Sequence, residues 1–261
     1  MFLRKTIQNP SPPENIHALA RVSEGVRVYV IGDIHGRDDL VREICRRILS
    51  DSQSMPPGMK KVAVFLGDYL DRGMNSRDVI DFLIKNPLPS FDIHFLKGNH
   101  EQKLLDFLDD CKEGGMWLEL GGGATVFSYG VRVPKKIKVA DRIKYIHDAF
   151  REKLPTAHQH FLKNLEIQHS VGDYLFVHAG INPKRPLDDQ NPNDIIWGVD
   201  EFLDFDDDLG KVVVHGHSTA INPIERNNRI GIDTGAYFTD DLTCLVLEGA
   251  DRRFLSTKRP E

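Results

Sequence analysis

At 261 residues, with 40% hydrophobic and 28% charged side chains, the chain carries enough apolar material for one globular domain with a sizeable core. Its formal charge of -5 gives no basic field of the kind that holds a nucleic acid or an anionic membrane, so a small or locally presented substrate is expected. Three scattered cysteines, Cys45, Cys111 and Cys244, form no Cys-x-x-Cys pair, which argues against a zinc knuckle or disulfide framework and for a reducing, cytoplasmic setting.

Residues 1–24 read as an irregular arm, because Pro10, Pro12 and Pro13 block regular pairing. The opening Met1-Phe2-Leu3-Arg4-Lys5 leads into a polar, proline-containing stretch, so no signal peptide is expected. Nor does any segment approach the roughly 20 apolar residues that cross a bilayer.

From Val26 a unit repeats. The apolar run Val26 to Ile31 gives way at Gly32 to a polar loop, and Leu40, Val41, Ile44, Ile48 and Leu49 then recur at helical spacing. The same order returns in Val62 to Leu66 with a helix bearing Val79, Ile80, Leu83 and Ile84. It returns again in Ile93 to Leu96 with a helix bearing Leu104, Leu105 and Leu108. Three strand-loop-helix units predict an α/β layered fold with buried, largely parallel strands.

Residues from about 110 to 170 break the rhythm with Gly114-Gly115, Gly121-Gly122-Gly123 and helical patterns at Ile143 to Leu154 and His158 to Leu165, which suggests a helical cap or insertion. Strands resume at Tyr174 to Val177 and Val212 to Val214. Arg229 to Asp233 and Leu242 to Leu247 read as antiparallel strands joined by Asn/Asp turns. A mixed sandwich with helices outside fits this better than a doubly wound sheet.

In such a fold, the loops leaving the strand ends share one crevice. They carry Asp33 and His35, then Asp68, then Asn99 and His100, then His178, then His217. Oxygen and imidazole donors without thiolate suit Mn, Fe, Zn or Mg-like ions. Two dications about 3.5 to 4 Å apart need a shared carboxylate. Asp68 is the expected bridge, with Asp33 and His35 completing one ion and Asn99, His178 and His217 the other. Such ions acidify a water, so that a metal-bound hydroxide attacks phosphorus directly. His100 fits the acid for the leaving oxygen, Asp71 its orienting carboxylate and Arg72 a bidentate phosphate fork.

One Gly-Asp-x-His-Gly alone is compatible with a turn and a capping Asp. Five such loops, each after an apolar run, carry the argument jointly. His215 is read equally as orienting a ligand or as strand-end packing. His94 is expected to be structural, and His147, His158, His160 and His169 to be surface or packing residues. No phosphate-binding Gly-x-x-x-x-Gly-Lys-[Ser/Thr] loop or Gly-x-Gly-x-x-Gly is present, and Gly216-His217-Ser218-Thr219-Ala220 lacks the last glycine of a nucleophile elbow.

Gly32-Asp33-Ile34-His35-Gly36, Gly67-Asp68-Tyr69-Leu70-Asp71-Arg72-Gly73, Gly98-Asn99-His100-Glu101, His178-Ala179-Gly180 and a last His217 together resemble the calcineurin-like metallophosphoesterases, phosphoprotein phosphatase branch, from about Arg27 to Glu248. The resemblance implies one four-layer α/β domain, two mixed sheets flanked by helices. It implies two divalent ions, Mn foremost and Fe, Zn or Mg as alternatives, on Asp33, His35, Asp68, Asn99, His178 and His217. His100, Asp71 and Arg72 would be catalytic, with Arg72, Asn99 and His100 around the phosphate. Shorter features, such as Trp117-Leu118 and Asp233-Thr234-Gly235-Ala236-Tyr237, look like compact bacterial members, which include serine/threonine phosphatases and symmetrical dinucleoside tetraphosphatases. The leading expectation is a serine/threonine phosphatase-like phosphomonoesterase. Its alternatives are a diadenosine tetraphosphate hydrolase and, behind it, a catalytically silent scaffold. Val199 departs from the pattern, standing where relatives often carry a second phosphate-holding arginine, with Arg185 as a substitute to be tested.

Overall fold

The structure, a computed structural model, describes residues 20–258. Most of the arm expected over residues 1–24 thus lies outside the described residues. Its last part is anchored: Ala20 and Val22 are buried, and Val22 N donates to Gly249 O at 2.9 Å.

The three repeating units form as the apolar pattern dictates. They are β1 (Val26–Ile31) with α1 (Asp38–Ser52), β2 (Lys60–Phe65) with α2 (Ser76–Leu83), and β3 (Asp92–Phe95) with α3 (Asn99–Asp109). Helix α1 shows why a helix forms here. Leu40, Val41, Ile44, Cys45 and Ile48 lie on one buried stripe, and Asp38 and Asp39 meet the positive end of its dipole.

The middle segment folds as short helices α4 (Gly114–Trp117) and α5 (Gly123–Ser128), then α6 (Arg142–Lys153) and α7 (Thr156–Lys163). Trp117, Tyr129, Phe150 and Leu162 join the same apolar cluster as Tyr29 and Phe65. Next come β4 (Gln168–Val171), β5 (Tyr174–Val177), α8 (Pro192–Trp197), α9 (Asp200–Asp204), β6 (Val212–His215), β7 (Ile224–Glu225), β8 (Arg229–Gly231), α10 (Ala236–Thr239), β9 (Thr243–Glu248) and β10 (Asp251–Ser256).

Two five-stranded mixed sheets result, in the orders β10-β9-β1-β2-β3 and β4-β5-β6-β8-β7. Strands β1, β2 and β3 run parallel, while β9 and β10 pair antiparallel on the other side of β1. The period of two along a strand sorts side chains into layers. Val28 and Val30 enter the cluster between the sheets, together with Tyr174, Phe176, Val212 and Leu245. Tyr29 and Ile31, on the opposite face of β1, pack under α1 and α2. Leu175 and Val177 leave the second sheet on its outer face and pack with Ile195 and Phe202 from α8 and α9. Two sheets face to face with helices on both outer sides make the expected four-layer α/β sandwich. Among the described residues, no helix is long and apolar enough to cross a membrane.

Candidate dinuclear metal centre

Each candidate ligand stands just after a strand ends, in a loop or, for Asn99, at the start of α3. Five site residues, His35 (φ 45°), Asp68 (φ 50°), Asp71 (φ 70°), Arg72 (φ 64°) and His217 (φ 60°), adopt the left-handed conformation that side chains ordinarily avoid. Such strain persists where surrounding bonds over-determine it. Here His35 N donates to Asp68 O at 2.8 Å, Gly73 N to His35 O at 3.1 Å, and Arg72 N to Gly121 O at 3.2 Å. The packing is close enough that a Cβ on Gly98 would collide with Asp68 Oδ1, and one on Gly216 with Asp33 Oδ1.

The loops converge on Asp68. His178 Nε2 lies 3.4 Å from Asp68 Oδ1, and His35 Nε2 lies 3.5 Å from Asp68 Oδ2. Asn99 Oδ1 is 3.0 Å from both His178 Nε2 and His217 Nδ1. Ligand atoms of His35, Asp68 and His100 lie within 4.8 Å of one another, and so do those of Asp68, His178 and His217; the carboxylate is common to both groups. Asp33 Oδ2 accepts from His217 N at 3.0 Å, which ties the first loop to the last.

Two of the imidazoles are held by their far nitrogen. Nδ1 of His35 is 2.9 Å from Leu70 O, and Nδ1 of His178 is 2.9 Å from Leu66 O. A carbonyl there fixes the proton on Nδ1 and leaves the Nε2 lone pair facing Asp68, the arrangement that prepares histidine for a cation.

Electrostatics divide the histidines into two kinds. Burial lowers His35 to about 3 and His217 to about 4, and lowers His178 as well, so all three are neutral donors at pH 7. Burial also works against the proton on His100, but Asp68 and Asp71 outweigh it and hold the imidazole up at about 8. Its Nδ1 lies 2.8 Å from Asp71 Oδ2. Asp68 itself is driven down: burial opposes its charge, yet the surrounding His178, His100, His35 and His217 prevail. Asp33 goes the other way, raised by burial and by the nearby carboxylates of Asp233 and Asp68. Its Oδ1 is buried with no hydrogen-bond partner. An orphaned carboxylate oxygen and three neutral imidazoles around a shared carboxylate fit a pair of divalent cations.

Arg72 places Nη2 3.3 Å from His100 Nε2, and its guanidinium lies 4.8 Å from the Tyr237 ring centroid. Tyr237 stands 5.5 Å, edge to face, from His35, and with its neighbour Phe238 it forms an exposed aromatic rim. His215 takes the packing role. It is buried edge to face against Phe202, with Nδ1 2.9 Å from Gly216 O. Arg185 is bound to Asp189 by two bonds, at 2.7 and 2.9 Å, and Val199 packs against the cluster of Phe202. His158, expected among surface or packing residues, is buried and bonded to Tyr129 and Asp81.

Sequence reasoning passed over the residues that hold the site in place. Glu101 accepts the backbone N–H groups of Asp68 (2.8 Å), Tyr69 (2.9 Å) and Gly98 (3.0 Å). Asp71 is gripped by Trp117 Nε1 at 2.9 Å and Thr125 Oγ1 at 2.6 Å. Asp233 accepts from Thr219 and Gly235. The signal available for Glu101 was its position three residues after Gly98 at a helix start, the spacing of a capping box.

A fold of two mixed sheets with a metal-ready loop cluster at one edge defines a class of metal-dependent phosphate ester hydrolases, and comparisons agree. The family model of calcineurin-like phosphoesterases matches residues 26–241, so the chain belongs to that family and is a hydrolase of phosphoric esters. A bis(5'-nucleosyl)-tetraphosphatase PrpE [asymmetrical] of Oceanobacillus iheyensis is 26% identical over 243 residues, covering 84% of this chain and 87% of the relative. A candidate serine/threonine-protein phosphatase of Caenorhabditis elegans is 38% identical over 88 residues, 33% of this chain and 18% of the relative. The crystal structure of a candidate diadenosine tetraphosphatase superposes with a TM-score of 0.56 at 19% identity, covering 88% of this chain and 93% of that one.

Proposed function

We propose that this chain hydrolyses the phosphate chain of a nucleotide substrate of the dinucleoside tetraphosphate type. The observation that carries this reading is the exposed aromatic rim of Tyr237 and Phe238, set edge to face, with the guanidinium of the phosphate fork Arg72 over the Tyr237 ring. A planar base finds a face there while its phosphates reach the loop cluster. A relative that spans most of both chains, a bis(5'-nucleosyl)-tetraphosphatase, supports the same substrate class. This reverses the order of the two expectations drawn from the sequence. Phosphoprotein hydrolysis is the second reading, supported by the shorter stretch of likeness to a candidate serine/threonine-protein phosphatase.

Asp33, His35 and Asp68 would hold one cation and Asp68, Asn99, His178 and His217 the other. Manganese is our choice, with iron, zinc or magnesium as alternatives of the same donor chemistry. The ions supply an acidified water and positive charge for the phosphate oxygens. Arg72 binds the phosphate as a bidentate fork, beside Asn99 and His100. His100 keeps one proton on Nδ1 toward Asp71 and presents a second on Nε2 to the leaving oxygen. Asp71, fixed by Trp117 and Thr125, orients that imidazole.

The test is a manganese-supplemented panel of diadenosine tetraphosphate, a phosphoserine peptide, a phosphotyrosine peptide and p-nitrophenyl phosphate, with products separated. Release of ATP with AMP marks asymmetrical cleavage, and ADP alone marks symmetrical cleavage. Tyr237→Ala should raise KM for the dinucleotide well beyond its effect on p-nitrophenyl phosphate. Rapid hydrolysis of the phosphoserine peptide with no dinucleotide turnover would reverse the ranking, and no turnover of any substrate would leave the silent scaffold.

A further inference from the structure

The margins of the two sheets meet outside the loop cluster, where β3 ends one sheet and β4 ends the other. Glu166 locks them together. Its N–H donates to Phe95 O at 2.9 Å, and its carbonyl accepts from Lys97 N at 2.8 Å. Side-chain alternation then aims two histidines at each other. Ile93 and Phe95 pack toward the helix side of β3, which sends His94 to the sheet-to-sheet side. His169 pairs across the ladder with Phe176, a member of the intersheet cluster, and faces the same way. The rings stack with centroids 3.5 Å apart and planes inclined by 22°.

Their nitrogens converge on one carboxylate. Nδ1 of His94 lies 2.9 Å from Glu166 Oε1 and 3.2 Å from Oε2, and Nδ1 of His169 lies 3.7 Å from Oε2. One ligand atom from each of the three residues lies within 4.8 Å of the others. We propose that His94, Glu166 and His169 form a further divalent-cation site, separate from the loop cluster, that takes a zinc-like ion and ties the edges of the two sheets.

Three features favour a cation over a simple ion pair. Two imidazoles and a carboxylate are a donor set for zinc, with one position left for water, and a poor set for magnesium or calcium. Stacked rings this close are poorly suited to two imidazolium charges, whereas neutral imidazole is the form that binds metal. Behind the site, Asp92 Oδ1 stands 3.5 Å from His94 Nε2, and Lys60 Nζ bonds Asp92 at 2.8 Å. A carboxylate on the far nitrogen of a histidine orients that ring and raises its basicity as a ligand. The Glu166 side chain is 42% exposed, which gives an ion an entry path.

The experiment is equilibrium dialysis of the full chain against zinc, with metal counted by mass spectrometry, for wild type, His94→Asn, His169→Asn, Glu166→Gln and Asp68→Asn. Wild type should hold one zinc equivalent more than each of the first three variants. Asp68→Asn, which alters the loop cluster, should keep that equivalent. Zinc should also raise Tm by a margin that His169→Asn removes. Equal zinc counts in wild type and in all three edge variants would overturn the site. If the histidine variants do not fold, ring nitrogen NMR of the wild type decides. Zinc should shift the Nδ1 resonances of His94 and His169, and unmoved resonances would equally overturn the proposal.

Discussion

A buried imidazole ordinarily sheds its proton, as His35 and His217 do here; His100 keeps one because two carboxylates face it. Below about pH 8 it is charged and above that value neutral, so turnover that needs it as an acid falls as pH rises through its pKa. Bound dications draw that limb lower, so the alkaline fall in kcat should lie at or below about pH 8. Asp71→Asn removes a carboxylate that raises this pKa and should move the limb to lower pH. A kcat profile of both proteins measures the difference, and coincident limbs would show that Asp71 does not act through His100. His100→Ala should lower kcat by roughly 10² to 10⁴-fold, the usual worth of a positioned acid. The loss should be smaller with p-nitrophenyl phosphate, whose leaving group departs readily as an anion. Because His100 is also within ligand reach of His35 and Asp68, metal content must be measured beside activity. Unchanged content supports the acid, and a lost equivalent would make His100 a ligand.

At the scale of elements, α3 and the second loop form one unit through Glu101, whose carboxylate gathers N–H groups from Gly98, Asp68 and Tyr69. Burial and the neighbouring Asp68 push this carboxyl upward, an environment costly to charge, and the backbone N–H groups of Gly98 and Asp68 offset part of that cost. In Glu101→Gln one acceptor oxygen becomes a donor amide. Buried N–H groups lose their partner, at about 1–3 kcal/mol for each one left unsatisfied. Urea unfolding should show a loss in that range, and activity should drop because Asp68 stands in the loop that relaxes. An unchanged midpoint would mean that water or a shifted backbone replaces the carboxylate. Elements also explain which strands the sequence concealed. Strand β4 reads Gln168-His169-Ser170-Val171, a half-exposed edge with no apolar alternation, and β7 has only two residues, both exposed. Edge strands carry little periodicity because one of their sides has no neighbouring strand to pack against. The buried runs of β1, β2, β5 and β6, in contrast, were legible as continuous apolar segments.

Over the whole molecule, the layer between the sheets holds the loop cluster together, since each sheet contributes part of it. Asp33, Asp68 and Asn99 follow strands of one sheet, while His178 and His217 follow strands of the other. Phe176, fully buried between the sheets, is a direct probe of that layer. Phe176→Ala should cost about 3–5 kcal/mol through lost transfer energy and the cavity it leaves. Metal affinity should fall with it if the sheets shift. Thermal unfolding with and without manganese measures both, and a loss under about 1 kcal/mol would mean that the layer closes up around the gap.

Residue chemistry and local pattern were enough to single out the candidate donors, because a carboxylate or imidazole at the end of an apolar strand is visible in one dimension. The same pattern gave the three strand-loop-helix units and a mixed sandwich with helices outside, while the four-layer arrangement came from the family resemblance. Only the tertiary structure decided which donors meet. His178 and His217 reach Asp68, more than 100 residues away in the chain, because the two sheets pack face to face, and alternation tells which face a side chain takes but not what packs against that face. It also decided which imidazoles keep a proton, since that depends on burial and on carboxylates brought in from other loops. For the same reason His94 and His169, unremarkable as single residues, stand together around Glu166 at the seam between the sheets.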